Sequence, residues 1–276
     1  MRTCARPLAS LLLLHGACSL RTPHPLLSSA AAHAYRAEAG REFARIAPRI
    51  KAPLLENSNK TEDLAAGKAL LRKMDRALQT PADMTTVARR GYIRTVYDDR
   101  AFQIAELFGA AHRAGVKLAP GARVASLGGG PGCCVLGYRV FERIAFDSAT
   151  SRLWVYDYAR AWEDDVAALA DALGEPIPFG GCDLSRPLAA TENAEVLALA
   201  PTLAIIILSR TLSEVPGSGW TPFVEALWAV MRVGSILFVK DEESVELAAV
   251  RLLGAEVDAW SVPGVRGVFL RRTASN

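Results

Sequence analysis

The chain has 276 residues, of which 51% are hydrophobic and 22% are charged, with a formal net charge of +3. This composition excludes an intrinsically disordered chain, and the length suits one large α/β domain with an attachment or two small domains. No apolar run reaches the roughly 18 residues that a membrane-spanning helix requires. The first 37 residues contain four arginines and no acid, so residues 38–276 carry 28 basic and 29 acidic side chains.

Residues 1–37 have the composition of a targeting leader. Arg2 and Arg6 precede an apolar run at residues 8–14, and small residues follow, which is the order of a signal peptide. The next stretch is rich in Ser and Ala and lacks acids, which is typical of a transit peptide. We therefore expect removal of the leader and an organellar destination, with the plastid of a complex-plastid alga favoured over the mitochondrion. A merely disordered N-terminus is the alternative.

Residues 38–120 predict a small helical cap. Apolar residues recur at helical spacing in two segments, with acids in the first turn of one and a glycine after the other. Thr80 and Pro81 have the residue types of a helix N-cap and a first helical position. The two apolar stripes are Leu64, Leu71, Met74 and Leu78, and then Ala101, Ile104, Ala105, Phe108 and Ala111.

Residues 121–276 show short apolar strands that alternate with helices of 10–15 residues. Such alternation indicates a parallel sheet with helices on both faces. Pro263 and Gly264 separate the last two strands, which predicts a terminal antiparallel hairpin. We therefore predict an α/β fold with a doubly wound, mostly parallel seven-stranded sheet. Its predicted strands are residues 123–127, 153–156, 178–179, 203–208, 235–239, 257–260 and 265–270.

A glycine cluster follows the first predicted strand, where the strand gives way to a helix. Gly128, Gly130 and Gly132 alternate, which permits a tight turn and a close approach of a ligand to the backbone. The dinucleotide-binding fingerprint requires a further Gly or Ala three residues after the second glycine, but those positions hold Cys133 and Val135. A nicotinamide-dependent reductase is therefore the disfavoured alternative.

The Gly-x-Gly-x-Gly spacing resembles motif I of the class I S-adenosylmethionine-dependent methyltransferases. The resemblance covers residues 122–272 and implies that the glycine loop wraps the amino-acid part of the cofactor. It also implies that Asp157 holds both ribose hydroxyls and that Asp183 lies near the adenine amino group. The cofactor-binding residues expected from this resemblance are Gly128, Gly129, Gly130, Gly132, Asp157, Tyr158, Cys182, Asp183, Leu184 and Ser209.

One position departs from the family pattern. Where the family often has an acid that holds the cofactor ammonium indirectly, this chain has Ser126. A binding or ribosome-assembly protein that keeps the fold without turnover is therefore a competing hypothesis. The three cysteines and one histidine that follow the leader lack zinc-site spacing, so no metal site is expected.

The segment after the fourth strand supplies Ser209 and Glu214 to the expected reaction face, and neither is given a proton-transfer role. Its Leu-Ser-Glu-Val-Pro sequence at residues 212–216 resembles methyltransferase-like proteins of mitochondrial small-subunit ribosome assembly. This favours RNA over a small molecule or a protein as the methyl acceptor. An arginine–tyrosine patch in the cap fits the same acceptor, because Arg contacts phosphates and Tyr stacks on bases. The favoured alternative is a solvated helix face with the tyrosines packed beneath it. The substrate-binding candidates in this patch are Arg89, Arg90, Tyr92, Arg94, Tyr97 and Arg100.

Overall fold

A seven-stranded sheet forms the centre of the computed structural model, which describes residues 29–56, 58–74, 84–254, 257–261 and 267–274. The strands are β1 (Arg123–Leu127), β2 (Arg152–Asp157), β3 (Phe179–Gly181), β4 (Ile205–Ser209), β5 (Ile236–Lys240), β6 (Val257–Ser261) and β7 (Val268–Arg272). Their order across the sheet is β3-β2-β1-β4-β5-β7-β6. The first five strands pair in parallel, and β7 lies antiparallel between β5 and β6. The predicted doubly wound sheet with a reversed hairpin is confirmed, while the turn at Pro263 and Gly264 lies outside the described residues.

Helices cover both faces of the sheet and form the N-terminal region. They are α1 (Ser29–Leu55), α2 (Lys60–Met74), α3 (Thr86–Tyr92), α4 (Asp98–Arg113), α5 (Cys133–Phe146), α6 (Glu163–Leu173), α7 (Ala194–Leu199), α8 (Thr221–Val230) and α9 (Glu243–Leu253). A π-helical turn, Ile93–Tyr97, joins α3 to α4 through helical backbone on both sides. The Thr85 side chain accepts a hydrogen bond from the Ala88 N–H and caps α3. The predicted N-cap at Thr80 and Pro81 lies outside the described residues.

Strand β4 shows why the sheet is covered on both faces. Its alternate side chains point in opposite directions, as the two-residue repeat of a strand requires. Ile205 and Ile207 pack into the cluster that contains α4 and α5, whereas Ile206 and Leu208 pack into the cluster that contains α8 and α9. A continuous apolar run is therefore what this central parallel strand needs.

Helix α4 packs its predicted apolar stripe against α5 and the sheet. All five predicted residues of this stripe are buried. The Phe108 ring lies 5.1–5.7 Å, between ring centroids, from the rings of four other aromatic residues. A Cβ at Gly137 of α5 would overlap the Ala101 carbonyl oxygen, so the two helices approach at the level of their backbones. This contact fixes α4, and with it the preceding π turn, against the sheet.

The buried face of α2 differs from the predicted one. Leu64 and Leu71 are only partly buried, and Leu78 lies outside the described residues. The helix turns toward α3 because Gly67 and Gly91 let the two backbones meet, where a Cβ on either glycine would overlap the other chain segment. The side of α2 that is buried consists of Asp63, Gly67, Leu70 and Met74.

The described helices include none that is long and apolar enough to cross a membrane. Within the described ranges, no three His, Cys, Asp or Glu side chains are grouped so that they could hold a metal ion. Cys133, Cys134 and Cys182 are buried free thiols.

Candidate functional site

The glycine turn between β1 and α5 is tightly wound. Gly128, Gly130 and Gly132 have φ angles of 63°, 53° and 85°, in the left-handed region that favours glycine. The Gly129 N–H donates to the Tyr156 carbonyl at 3.0 Å, and the Gly132 N–H donates to the Gly129 carbonyl at 3.0 Å. The turn is therefore anchored to β2 while its left-handed glycines expose backbone at the carboxyl edge of the sheet.

A cleft opens at this edge, between the glycine turn, the ends of β2 and β4, and the helical cap. It brings together eleven residues that the sequence predicted for binding or reaction. These are Tyr92, Arg100, Gly128, Gly130, Asp157, Tyr158, Cys182, Asp183, Leu184, Ser209 and Glu214. Gly129 and Gly132 lie behind the turn, where Cβ atoms would press on Val155 and Leu169 respectively, so they shape it without lining the cleft.

Asp157 ties the end of β2 to the glycine turn. Its carboxylate accepts the Gly130 N–H at 2.7 Å and the Ala159 N–H at 2.8 Å, one on each oxygen. Burial raises the pKa of this carboxyl to about 6, and the two backbone hydrogen bonds partly oppose that shift. Each oxygen has a second lone pair, so the carboxylate can accept further hydroxyl donors from a ligand.

Asp183 lies in a loop after β3 that is held from within. The buried Asn193 side chain accepts the Asp183 N–H at 2.8 Å and donates to the Asp183 and Pro187 carbonyls at 3.0 Å each. The Asp183 carboxylate accepts the Ser185 N–H at 2.9 Å and the Ser185 hydroxyl at 2.6 Å. Cys182 and Leu184 are buried on either side and give this end of the cleft an apolar wall. Asn193 was not predicted, because it is ten residues away from the loop that it holds.

The loop after β4 forms the opposite wall. Arg210 has a φ of 55°, which is uncommon for a non-glycine residue, and its N–H donates to the Lys240 carbonyl at 2.6 Å. The Asp241 carboxylate then accepts three successive N–H groups, those of residues 211, 212 and 213, at 3.0, 2.9 and 3.3 Å. This carboxylate fixes the short turn Leu212–Glu214 and thereby places Glu214 in the cleft.

The predicted arginine–tyrosine patch is not a single surface. Arg89 pairs with Asp165 at 2.9 Å, Arg94 pairs with Asp63 at 2.9 Å, and the Arg90 side chain donates to the Leu54 carbonyl at 3.1 Å. Tyr97 is buried in the core. Residues close together along a helix point in different directions around it, about 100° apart per residue, so this sequence cluster divides among several neighbours. These six residues therefore do not share one surface, and contact between any of them and RNA stays a prediction.

Two members of that set, Tyr92 and Arg100, do reach the cleft. The Arg100 guanidinium lies 5.0 Å from the centroid of the Tyr92 ring and also donates to its hydroxyl. The Tyr92 ring in turn packs against Trp162, with 5.2 Å between ring centroids. Met74 and Trp162 complete the wall on the cap side, and neither was predicted as a residue of the site. Their apolar character alone does not distinguish a cleft wall from a core.

Comparisons with known proteins agree with this geometry at the level of the fold. No family model and no curated protein matches the chain. The structure is similar to an O-methyltransferase family protein from Burkholderia thailandensis, with a TM-score of 0.52, 14% identity, and coverage of 80% of this chain and 74% of that one. It is also similar to a SAM-dependent methyltransferase from Aquifex aeolicus, with a TM-score of 0.47, 15% identity, and coverage of 66% and 97%.

A third similar structure is the trans-methyltransferase CalH in complex with SAH, with a TM-score of 0.44, 13% identity, and coverage of 92% of this chain and 94% of that one. The first similarity, together with the strand order and the position of the glycine turn, shows the fold. The chain has the class I S-adenosylmethionine-dependent methyltransferase fold, and no subfamily is specified.

Proposed function

We propose that the protein transfers the methyl group of S-adenosylmethionine to an acceptor bound in the cleft. The observation that carries this proposal is the convergence, in one cleft, of the left-handed glycine turn, the buried Asp157 carboxylate and the β4 loop with Ser209 and Glu214. The fold alone would be compatible with many activities, so the proposal depends on the site.

The residues of the cleft fit such a cofactor. A side chain at Gly128 would overlap Thr211, so this part of the turn has room only for backbone. Asp157 has lone pairs to accept ribose hydroxyls, and Asp183, Cys182 and Leu184 offer a carboxylate and apolar contacts for an adenine ring. The cofactor, when bound, supplies an activated methyl group. The protein's own contribution is to align an acceptor with that group and to exclude water.

For the acceptor we favour a small molecule over RNA. Three of the four arginines that motivated RNA are committed to Asp63, Asp165 and a backbone carbonyl, and the cleft that the fourth reaches is closed on one side by Met74, Tyr92 and Trp162. Apolar and aromatic walls with a few polar groups are typical of small-molecule sites. The segment at residues 212–216 that resembles ribosome-assembly proteins contains the turn that Asp241 fixes. This structural role is itself an explanation for the sequence of the segment.

Calorimetry with S-adenosylhomocysteine, the demethylated product, tests the cofactor site. Asp157→Asn should weaken its binding about 10- to 100-fold, because charge-assisted hydrogen bonds to the ribose are lost. Asp171→Asn, an exposed acid on α6, is the matched control and should bind like the unchanged protein. Absence of binding at millimolar ligand would overturn the methyltransferase proposal, and equal binding by both variants would overturn the role of Asp157.

Radiolabelled S-adenosylmethionine incubated with the protein and fractionated cell extract tests turnover. We expect label in the small-molecule fraction. Label in RNA would contradict the acceptor class, and cofactor binding without any labelled product would favour the alternative of a binding protein. That alternative is supported by Ser126, which is buried and uncharged where the family often has an acid.

A further inference from the structure

Two side chains of opposite charge line the cleft. Arg100 comes from α4, and Glu214 comes from the turn that Asp241 fixes after β4. Burial works to lower the pKa of the Arg100 guanidinium, but neighbouring groups, Tyr92 first and Glu214 among them, raise it overall. The two groups therefore lie within electrostatic reach of each other.

Arg100 is held in position from behind. Its guanidinium stacks on the Tyr92 ring and donates to the Tyr92 hydroxyl. The two residues are eight apart, which in a regular α-helix would place them about 80° apart around the axis. The π turn at Ile93–Tyr97 takes up about one extra residue and brings them onto one face. π turns are frequent at functional sites, and this one makes a pre-positioned guanidinium with N–H groups to spare.

The location of the pair within the cleft is defined by its neighbours. The Tyr92 ring, on which Arg100 stacks, packs against Trp162, and the Trp162 Nε1 lies 3.8 Å from the position that a Cβ on Gly130 would take. Arg100 therefore lies on the glycine-turn side of the cleft, whereas Asp157 and Asp183 follow β2 and β3. Ser126, beneath the glycine turn, is buried and carries no charge.

We propose that Arg100 and Glu214 together bind the zwitterionic amino-acid end of the cofactor, with Arg100 on its carboxylate and Glu214 on its ammonium. This inference rests on the proposed function. S-adenosylmethionine and S-adenosylhomocysteine both end in an α-amino acid, so a site with one cation and one anion is complementary to them. Arg binds carboxylates through a planar fork of N–H donors, and a carboxylate accepts from an ammonium. The pair supplies the negative charge that Ser126 does not.

Three probes separate the two contacts. S-adenosylhomocysteine carries the carboxylate and the ammonium, decarboxylated S-adenosylmethionine carries the ammonium alone, and 5′-methylthioadenosine carries neither. Arg100→Gln should weaken binding of the first probe roughly 10- to 100-fold and leave the other two within about threefold. Glu214→Gln should weaken the first two probes and spare 5′-methylthioadenosine. Arg100→Lys, which keeps the charge without the planar fork, should fall between the unchanged protein and Arg100→Gln for S-adenosylhomocysteine.

The controls distinguish misfolding and failure of the broader proposal. Arg251→Gln and Glu243→Gln remove exposed charges on α9 and should leave all three affinities unchanged. Retained binding of 5′-methylthioadenosine shows that a variant is folded. If all three probes bind the unchanged protein and neither variant alters their relative affinities, the zwitterion site is overturned while the methyltransferase proposal stands. If the unchanged protein binds none of the probes, both proposals are overturned.

Discussion

Asp157 combines a structural contact with the proposed ligand contact, and its protonation should govern both. Its pKa is raised to about 6 by burial, so it becomes substantially protonated between pH 6 and 5. Ribose hydroxyls donate best to the ionised form, which means that ligand binding should favour loss of the proton.

We therefore predict that the affinity for S-adenosylhomocysteine rises with pH, by up to about tenfold per unit below pH 6, and levels off above pH 7. Calorimetry from pH 5 to pH 8 measures this profile. Asp157→Asn should bind weakly with little dependence on pH over the same range. Burial also raises the pKa of the Asp165 carboxyl to about 6, but Asp165 pairs with Arg89 away from the cleft. Asp165 still titrates in Asp157→Asn, and this titration should not restore the pH dependence of binding. A flat profile in the unchanged protein would contradict the assignment.

Replacement of Gly128 should destabilise the protein for two reasons. Its φ of 63° is left-handed, and a Cβ would overlap the Thr211 methyl group. Gly128→Ala should lower the free energy of unfolding by about 2–4 kcal/mol, the sum of left-handed strain and overpacking. Gly234→Ala, at φ 88° with no atom near the added Cβ, should show the strain alone, about 1–2 kcal/mol.

Denaturant unfolding of the two variants measures this difference. Thr211→Ser removes the obstructing methyl and should recover part of the loss in the Gly128→Ala background. Equal destabilisation by the two glycine variants would show that the loop moves to admit the side chain.

Single residues also show where sequence reasoning succeeds and where it stops. Gly128, Gly130 and Asp157 were predicted because each follows directly from a strand end, which a local pattern reveals. The ion pairs of Arg89 and Arg94 were not predicted, because their partners Asp165 and Asp63 lie 76 and 31 residues away and no local pattern identifies them. The charge of a side chain is visible in the sequence, but whether another charge already satisfies it depends on tertiary packing.

Among the elements, the turn after β4 is held mainly by the residue that follows β5, the neighbouring strand. Asp241 directly follows β5, and β5 pairs with β4 so that Ser209 lies opposite Lys240. The carboxylate of Asp241 is the acceptor for three N–H groups of the turn. Because the carboxyl ends of parallel neighbours meet, an acid immediately after β5 was the available sequence signal for this contact.

We predict that Asp241→Ala destabilises the protein by about 1–3 kcal/mol, since buried N–H groups lose their acceptor. It should also weaken S-adenosylhomocysteine binding, because Thr211 and Glu214 line the cleft from this turn. Asp241→Asn keeps one acceptor oxygen and should lose less of both. Denaturant unfolding and calorimetry measure the two effects, with Asp171→Ala as the exposed control. Unfolding and binding that match the control would show that water replaces the carboxylate.

The π turn is an element that the sequence did not predict. Residues 93–97 carry ordinary helix-compatible side chains, and the apolar stripe of α4 fits a regular helix from residue 101 onward. The turn changes the phase between α3 and α4, so Gly91 can meet Gly67 while Phe108 reaches the sheet. The apolar periodicity within each helix is the same with or without this change of phase, so the sequence pattern did not reveal the π turn.

For the whole molecule, the distribution of charge along the chain bears on the class of methyl acceptor. The four arginines of residues 1–37 account for the excess positive charge, and residues 38–276 carry 28 basic and 29 acidic side chains. A near-neutral body gives little non-specific attraction to nucleic acid, whose binding is dominated by phosphate contacts. This balance and the internal ion pairs of the cap both favour the small-molecule acceptor proposed above.

The predicted leader and the folded body meet in α1, which begins at Ser29. Tyr35 is buried, donates its hydroxyl to the Ala105 carbonyl at 2.8 Å, and fills the space that the absent side chain of Gly109 leaves. Arg36 pairs with Glu106 at 3.0 Å. We propose that a targeting leader, if removed, is cleaved before Ser29, because cleavage after residue 37 would take these contacts away.

A chain that begins at residue 29 should therefore be more stable than one that begins at residue 38. The difference should be about 2–4 kcal/mol, from the lost burial of one aromatic ring and one buried hydrogen bond. Denaturant unfolding of the two chains measures it, and Tyr35→Ala in the longer chain should reproduce most of the loss. Arg36→Ala should cost less than about 1 kcal/mol, since its ion pair is exposed to solvent. Equal stability of the two chains would mean that residues 29–37 are dispensable for folding, and the leader could then extend to residue 37.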